Sequence, residues 1–413
     1  MVSAALIRLF CIVAMLAGVS ARAADEAAPT SDWLQDRLRL SGFGTAGYSW
    51  YSSTDADYVG TQQPDGPGRT GQSSGSLDSN LGLQLDARIT GSLGATLQVL
   101  SEYLPEGTWT PRLSVGSLRW EATDQLALRI GRFQSSTFLA TDYRYVRFAN
   151  PWPRPPREVY GVQPTTRLDG ADLSWHMPLQ GGRLQLRAGG GEVSSGAVAS
   201  SAGQKTDEIV YRGGFLRCQW ESGAWLASAS FTHNRVSFAP GGVVGQALQL
   251  LAKLDPAAGE AAIVEDKPNT ALALGLAYDS DTWVVQAEWA RAWNDSILID
   301  RSGAYLQAGH RFGPALPYLM LAERWTHGQK IHSANPAAES LLRVLYRNQH
   351  SDQRSLTLGM NLELRERLML KSALEWVKPD SGGTGLQGNI GPGYSREAPK
   401  SERLLTLNLD FVF

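Results

Sequence analysis

The chain has 413 residues, with 38 basic against 40 acidic side chains, so it offers no basic footprint for nucleic acid. Its cysteines are Cys11, inside an apolar leader, and Cys218, which rules out an internal disulfide once the leader is gone. No stretch after residue 23 approaches 18 consecutive apolar residues, which excludes a spanning helix but not a spanning β-barrel.

The opening MVSAALIRLFCIVAMLAGVSARA has one early cation, Arg8, then an apolar run and the small-x-small pattern Ala21-Arg22-Ala23. It reads as a signal peptide over residues 1–23, so export through the inner membrane is expected. Removing Arg8 and Arg22 moves the net charge from −2 to about −4. Residues 24–37 read as a short periplasmic segment ahead of a barrel over 38–413.

From residue 38 apolar side chains recur with period two. Leu81, Leu83, Leu85, Ala87 and Ile89 alternate with Gly82, Gln84, Asp86, Arg88 and Thr90. Leu356, Leu358, Met360, Leu362 and Leu364 alternate with Thr357, Gly359, Asn361 and Glu363. At the end, Leu405, Leu407, Leu409, Phe411 and Phe413 share one register, with Thr406, Asn408 and Asp410 in the other. Sixteen strands are expected, at 38–51, 80–90, 93–103, 111–121, 125–133, 168–178, 182–191, 207–220, 223–234, 270–279, 282–293, 302–312, 315–325, 354–365, 367–377 and 402–413. The alternation breaks in 111–121 and 207–220.

The connections segregate. Gaps after even-numbered strands are one to three residues, and those after odd-numbered strands are mostly long. Short turns at one end and long loops at the other mark an all-β, antiparallel transmembrane barrel of about 16 strands, with periplasmic turns and extracellular loops. Trp50, Tyr103, Trp120, Trp175, Trp220, Trp225, Trp283, Trp325 and Trp376 fall near strand ends, at the level of lipid headgroups. Within the loops, NPAAESLLRVLY places Asn335 as a helix N-cap before Pro336, and QALQLLAKL around Leu250 is similar. Both helices are expected to pack over the barrel mouth.

Two enzyme-like motifs are set aside. GFGTAG (Gly42–Gly47) leads into a strand, whereas a dinucleotide fingerprint needs a helix. Its glycines are read instead as allowing close approach of neighbours. GQSSG around Ser73 lies in a loop, not at a strand-to-helix elbow. The histidines lack zinc spacing. No catalytic residue, metal or cofactor is expected, so the chain is read as not an enzyme.

The loop 134–167 is unusual. It carries Arg144, Arg147, Arg154, Arg157 and Arg167 against Asp142 and Glu158, stiffened by Pro151, Pro153, Pro155 and Pro156. It is expected to fold into the pore, with Arg144, Arg147, Arg154, Arg157 and Glu158 at a constriction biased toward anions. The polar register places Arg88, Asp86, Arg129, Glu288, Glu363 and Lys371 toward the lumen, together with Arg39, Arg183, Arg187, Arg311, Glu102, Asp172, Glu323, Glu375 and Asp410. A barrel of this strand number leaves an aqueous channel.

These pieces carry a resemblance. SGFGTAGYS at Ser41, QPDGPGR at Gln63, LDSNLGLQLDAR at Leu77, LRIGR at Leu128 and NPWPRPPREVY at Asn150 are similar to an uncharacterised proteobacterial porin-like family within the Gram-negative outer-membrane porins. The resemblance implies a homotrimeric channel in outer-membrane lipid, with its third loop narrowing the lumen. It also implies that Leu409, Phe411 and Phe413 form the signal read by the barrel-assembly machinery. The acidic Pro-Glu-Phe-Gly-Gly segment of general porins is missing from the third loop, so their constriction charges do not transfer. The expected function is passive diffusion of small polar or ionic solutes. A substrate-specific uptake channel and, further off, an outer-membrane β-barrel enzyme are the alternatives.

Overall fold

A computed structural model describes residues 37–60, 63–163, 167–195 and 209–413. The expected signal peptide at 1–23 and the segment 24–36 lie outside the described residues. So do positions 207 and 208 of the eighth expected strand.

Period-two alternation becomes a closed antiparallel barrel of sixteen strands. They are β1 Leu38–Tyr51, β2 Asn80–Arg88, β3 Leu93–Glu102, β4 Arg112–Glu121, β5 Leu126–Gln134 and β6 Arg167–Leu179. Then follow β7 Gly182–Ser195, β8 Ile209–Ser222, β9 Trp225–Phe238, β10 Val264–Asp279 and β11 Trp283–Asn294. The wall ends with β12 Arg301–His310, β13 Ala315–Thr326, β14 Gln353–Arg365, β15 Leu368–Pro379 and β16 Glu402–Val412. Each strand pairs with its chain neighbours, and β1 closes the ring by pairing with β16 from Phe43↔Val412 to Tyr51↔Leu404. Closure removes the free edges of the barrel sheet, so neighbouring strands satisfy one another's backbone groups without water.

The two registers separate cleanly. Leu83, Leu358 and Leu407 are 40%, 49% and 42% exposed on the outer wall, whereas Thr357 and Asn408 are 3% and 0% exposed inside. Trp120, Trp175, Trp225 and Trp283 stand on the outer surface beside the short turns. Glu323 is a correction to the expected lumen lining. It shares the outer register with Leu319 and Leu321, and its carboxylate accepts from Arg354 Nε at 2.8 Å and Trp325 Nε1 at 3.0 Å.

Both irregular strands have physical reasons. In β4, Gln98 faces Val115 but Val99 faces Leu113, so Ser114 is an extra residue that shifts the register. In β8 the alternation is intact, but part of its polarity is exchanged between the faces. Tyr211 and Phe215 turn inward to pack with Phe133, Leu168 and Val193, while Arg212 and Cys218 face outward.

Loop helices cover part of the extracellular mouth. Helix Gly242–Leu254 and helix Pro336–Arg347 pack through Leu251, Leu342, Leu345 and Tyr346 against Val236, Val264 and Ile299. As the sequence suggests, Asn335 caps the second of these, its Oδ1 accepting from Ala337 N at 3.0 Å and Ala338 N at 3.4 Å. The loop after β1 and the loop before β16 join through the pair Tyr58↔Gln387.

Candidate functional site: the lumen and its inward loop

The loop between β5 and β6 turns into the barrel. Pro151, Pro153, Pro155 and Pro156 have no N–H to give, so this stretch cannot build a sheet ladder. Its carbonyls instead accept from the wall. Asn361 Nδ2 donates to Pro151 O at 2.8 Å, and Lys371 Nζ donates to Arg147 O at 2.5 Å and to Asn150 O at 2.6 Å. Lys371 is fully buried and pairs with Asp410 at 3.0 Å. Further along, Gln353 Nε2 donates to Glu158 Oε1 at 2.8 Å, and Leu139 N donates to Glu288 Oε1 at 2.5 Å.

Apolar packing fixes the same side. Phe138, Ala140, Trp152, Val159, Tyr160 and Val162 of the loop lie on an inner wall made of Ala271, Ala273, Ala290, Ala292 and Ala322, with Tyr305, Tyr318 and Met320. Small alanines in the inward register of β10, β11 and β13 leave the volume that the aromatic rings fill. That register is a signal that reading the lumen as uniformly polar overlooks.

Arg154 anchors the loop to β15, β16 and the segment just before β2. Its Nε donates to Asp78 Oδ1 at 2.9 Å and its Nη2 to Thr406 Oγ1 at 2.6 Å, with Glu375 at 3.7 Å. Arg147 approaches the same Asp78 at 3.5 Å. Burial pushes the Asp78 carboxyl up, but Arg154 and Arg147 outweigh it and hold the group below the usual carboxylate range. The Arg157 guanidinium lies 3.6 Å over the Tyr58 ring and donates to Val59 O. Arg144 is half-buried beside the Tyr145 ring, at 5.3 Å. Of the four arginines expected to present charge to the pore, three are therefore engaged in holding the loop.

The uncovered side of the lumen is polar. An opening of about 240 Å³ is lined by Gln84, Gln98, Arg129, Asp142, Asp172 and Arg187, among others. The register places Arg119 opposite Arg129, and Arg187 opposite Arg217. Asp172 bridges Arg129 at 2.7 Å and Arg187 at 3.0 Å. From the loop, Asp142 reaches Arg187 at 3.4 Å and Arg217 at 3.5 Å. Enclosure by the barrel pushes the Asp142 carboxyl up, with Arg217 and Arg129 opposing.

The remaining lumen residues fall where their register puts them. Asp86 accepts from Thr96 Oγ1 at 2.7 Å, and Arg88 and Glu363 are exposed near the short-turn end. Arg119 and Arg217 were legible as inward positions only once the bulge in β4 and the inward aromatics of β8 are known. On the outer wall Phe411 and Phe413 stack at 6.4 Å between centroids, at the β1–β16 seam.

A closed sixteen-strand antiparallel barrel with its third loop folded inward is the fold of the Gram-negative outer-membrane porins. No family model matches the chain, and no curated protein matches its sequence. Solved structures do share the fold. An anion-selective porin from Comamonas acidovorans matches at 15% identity and a TM-score of 0.54, over 91% of this chain and 99% of that one. The outer membrane channel DcaP of Acinetobacter baumannii matches at 12% and 0.54, over 91% and 97%. A trimer form of OmpT, an outer membrane protein of Vibrio cholerae, matches at 11% and 0.53, over 92% and 100%.

Proposed function

We propose that this chain is an outer-membrane porin, a water-filled channel through which small polar and ionic solutes diffuse passively. The observation that carries the reading is one-sided loop packing. The third loop fills the half of the lumen facing β9–β16 and leaves a polar passage along β2–β7. Arg119, Arg129, Arg187 and Arg217 against Asp142 and Asp172 bias that passage toward anions, with Arg144 adding to it from the loop. The constriction is assigned to Asp142, Arg144, Arg129 and Arg187, with Arg147, Arg154, Arg157 and Glu158 holding the loop that forms it. The role is transport and not catalysis.

The chain is further proposed to be exported by its signal peptide, inserted by the barrel-assembly machinery through its C-terminal Phe413, and assembled as a homotrimer in outer-membrane lipid. The trimer form among its structural likenesses supports the last point. A substrate-specific uptake channel is the second reading, favoured by the small opening and its opposed arginines. Planar-bilayer recording tests both. Stepwise current that rises linearly with solute concentration is the expected result, and saturation at low concentration favours the second reading. A folded barrel without current steps overturns both.

A further inference from the structure

Arg187 and Arg217 stand directly opposite each other on β7 and β8. Like charges so placed repel. Both guanidiniums are nevertheless fixed. Arg187 lies 5.9 Å and 5.5 Å from the ring centroids of Phe133 and Phe215, and Arg217 Nε donates to Ser228 Oγ at 3.1 Å. Their side chains are only 9% and 5% exposed.

Two carboxylates offset this charge, and they differ in kind. Asp172 belongs to the wall, with 2% of its side chain exposed and contacts of 2.7 Å and 3.0 Å. Asp142 sits on the short helical turn Thr141–Tyr143 of the loop, with 43% of its side chain open to the lumen. Its contacts of 3.4 Å and 3.5 Å are longer than the roughly 2.7–2.9 Å of a tight charge-assisted bond. Two fixed cations thus hold one loosely bound anion.

We propose that the Arg187–Arg217 pair is an oxyanion station in the lumen, occupied at rest by Asp142, whose place a carboxylate or phosphate solute takes. The inference deepens the channel reading and rests on it for its role in transport. Planar guanidinium forks fit the oxygens of such solutes in pairs, whereas a neutral solute gains nothing. When the solute leaves, Asp142 returns, so the arginines are never left bare. This competition keeps residence short, as conduction requires of any binding site.

The test is binding of inorganic phosphate to the detergent-folded full-length barrel, followed by phosphorus NMR. Asp142→Asn removes the competitor and tightens binding about threefold to fivefold, the size of a partly exposed ion pair. Arg217→Gln abolishes binding. Asp142 lies on an exposed turn, so its variant carries the test if Arg217→Gln does not fold. Asp86→Asn removes an equal lumen charge, but its carboxylate bonds Thr96 and Gln84 and no arginine. Equal tightening by Asp86→Asn, or none by Asp142→Asn, overturns the station. A barrel that binds phosphate as expected yet passes no current overturns the channel reading alone.

Discussion

The ring of Phe413 rests on Gly42, and a Cβ at position 42 would overlap it. The two backbones exchange hydrogen bonds, Gly42 N to Phe413 O and Phe413 N to Gly42 O, both at 2.9 Å. The glycines of the nucleotide-like GFGTAG are therefore steric. Gly42 and Gly44 make room for Phe413 and Phe411 where the ring closes. Gly42→Val and removal of Phe413 are both expected to lower the yield of folded barrel, measured as heat-resistant protein in the outer membrane. Normal levels of both variants would mean the seam tolerates displacement of the last strand.

Cysteine scanning separates lipid, lumen and loop. Cysteines at Leu83, Leu358 and Leu407 are expected to resist water-soluble thiol reagents, and a cysteine at Gln84 is expected to react. Thr357 and Asn408 face inward yet are buried, Asn408 Nδ2 donating to Pro153 O of the third loop at 3.4 Å, so they too should be protected until the loop is released. Leu358→Arg should cost roughly 2–4 kcal/mol if the position is near the bilayer midplane.

The Asp78–Arg154 contact predicts a conductance phenotype. Asp78→Asn leaves the buried Arg154 guanidinium without its main partner, a loss of roughly 3–5 kcal/mol for a buried pair. The loop should loosen and single-channel conductance should rise. Unchanged conductance in a folded Asp78→Asn barrel would show that the proline-carbonyl contacts suffice.

Acid should act in two steps. The Asp142 pKa is raised, so its charge is lost first as pH falls, which should increase anion preference. The Asp78 pKa is lowered. Its contribution to stability is fully present above the unfolded value near 3.9 and is lost as pH falls through the folded value. Loop release should therefore come at lower pH than the selectivity change. Reversal potentials and conductance recorded across an acid series check the order, and simultaneous changes would contradict it.

Selectivity should follow the wall more than the loop. Arg129→Gln is expected to shift the reversal potential toward cations, and Arg157→Gln, stacked on Tyr58, to change it little. Raising salt from 0.1 M to 1 M should weaken the bias, because the Debye length shrinks from about 10 Å to about 3 Å.

The barrel was legible because lipid on one side and water on the other force period two on strands such as 80–88 and 353–365. Where packing replaces solvent inside, as at Phe215 and Ala290, polarity stops reporting direction. The site was legible only in part for the same reason. Arg129 and Arg187 follow from register, but the partner Asp142 depends on a loop path that no periodicity encodes. The charge of Arg154 was visible, while its buried acceptor Asp78 lies 76 residues away.

Lys371, Thr406, Asn408 and Asp410 bind or back a loop made more than 200 residues earlier in the chain. Contacts of such separation form late, because a long closure must come first. A nascent barrel whose last two strands are not yet in place can already pack its third loop on β10–β13, but it lacks the Lys371 and Thr406 tethers. Final strand docking therefore does two things at once. It seals the wall against lipid, and it adds the polar tethers that fix the side of the inward loop carrying Arg154.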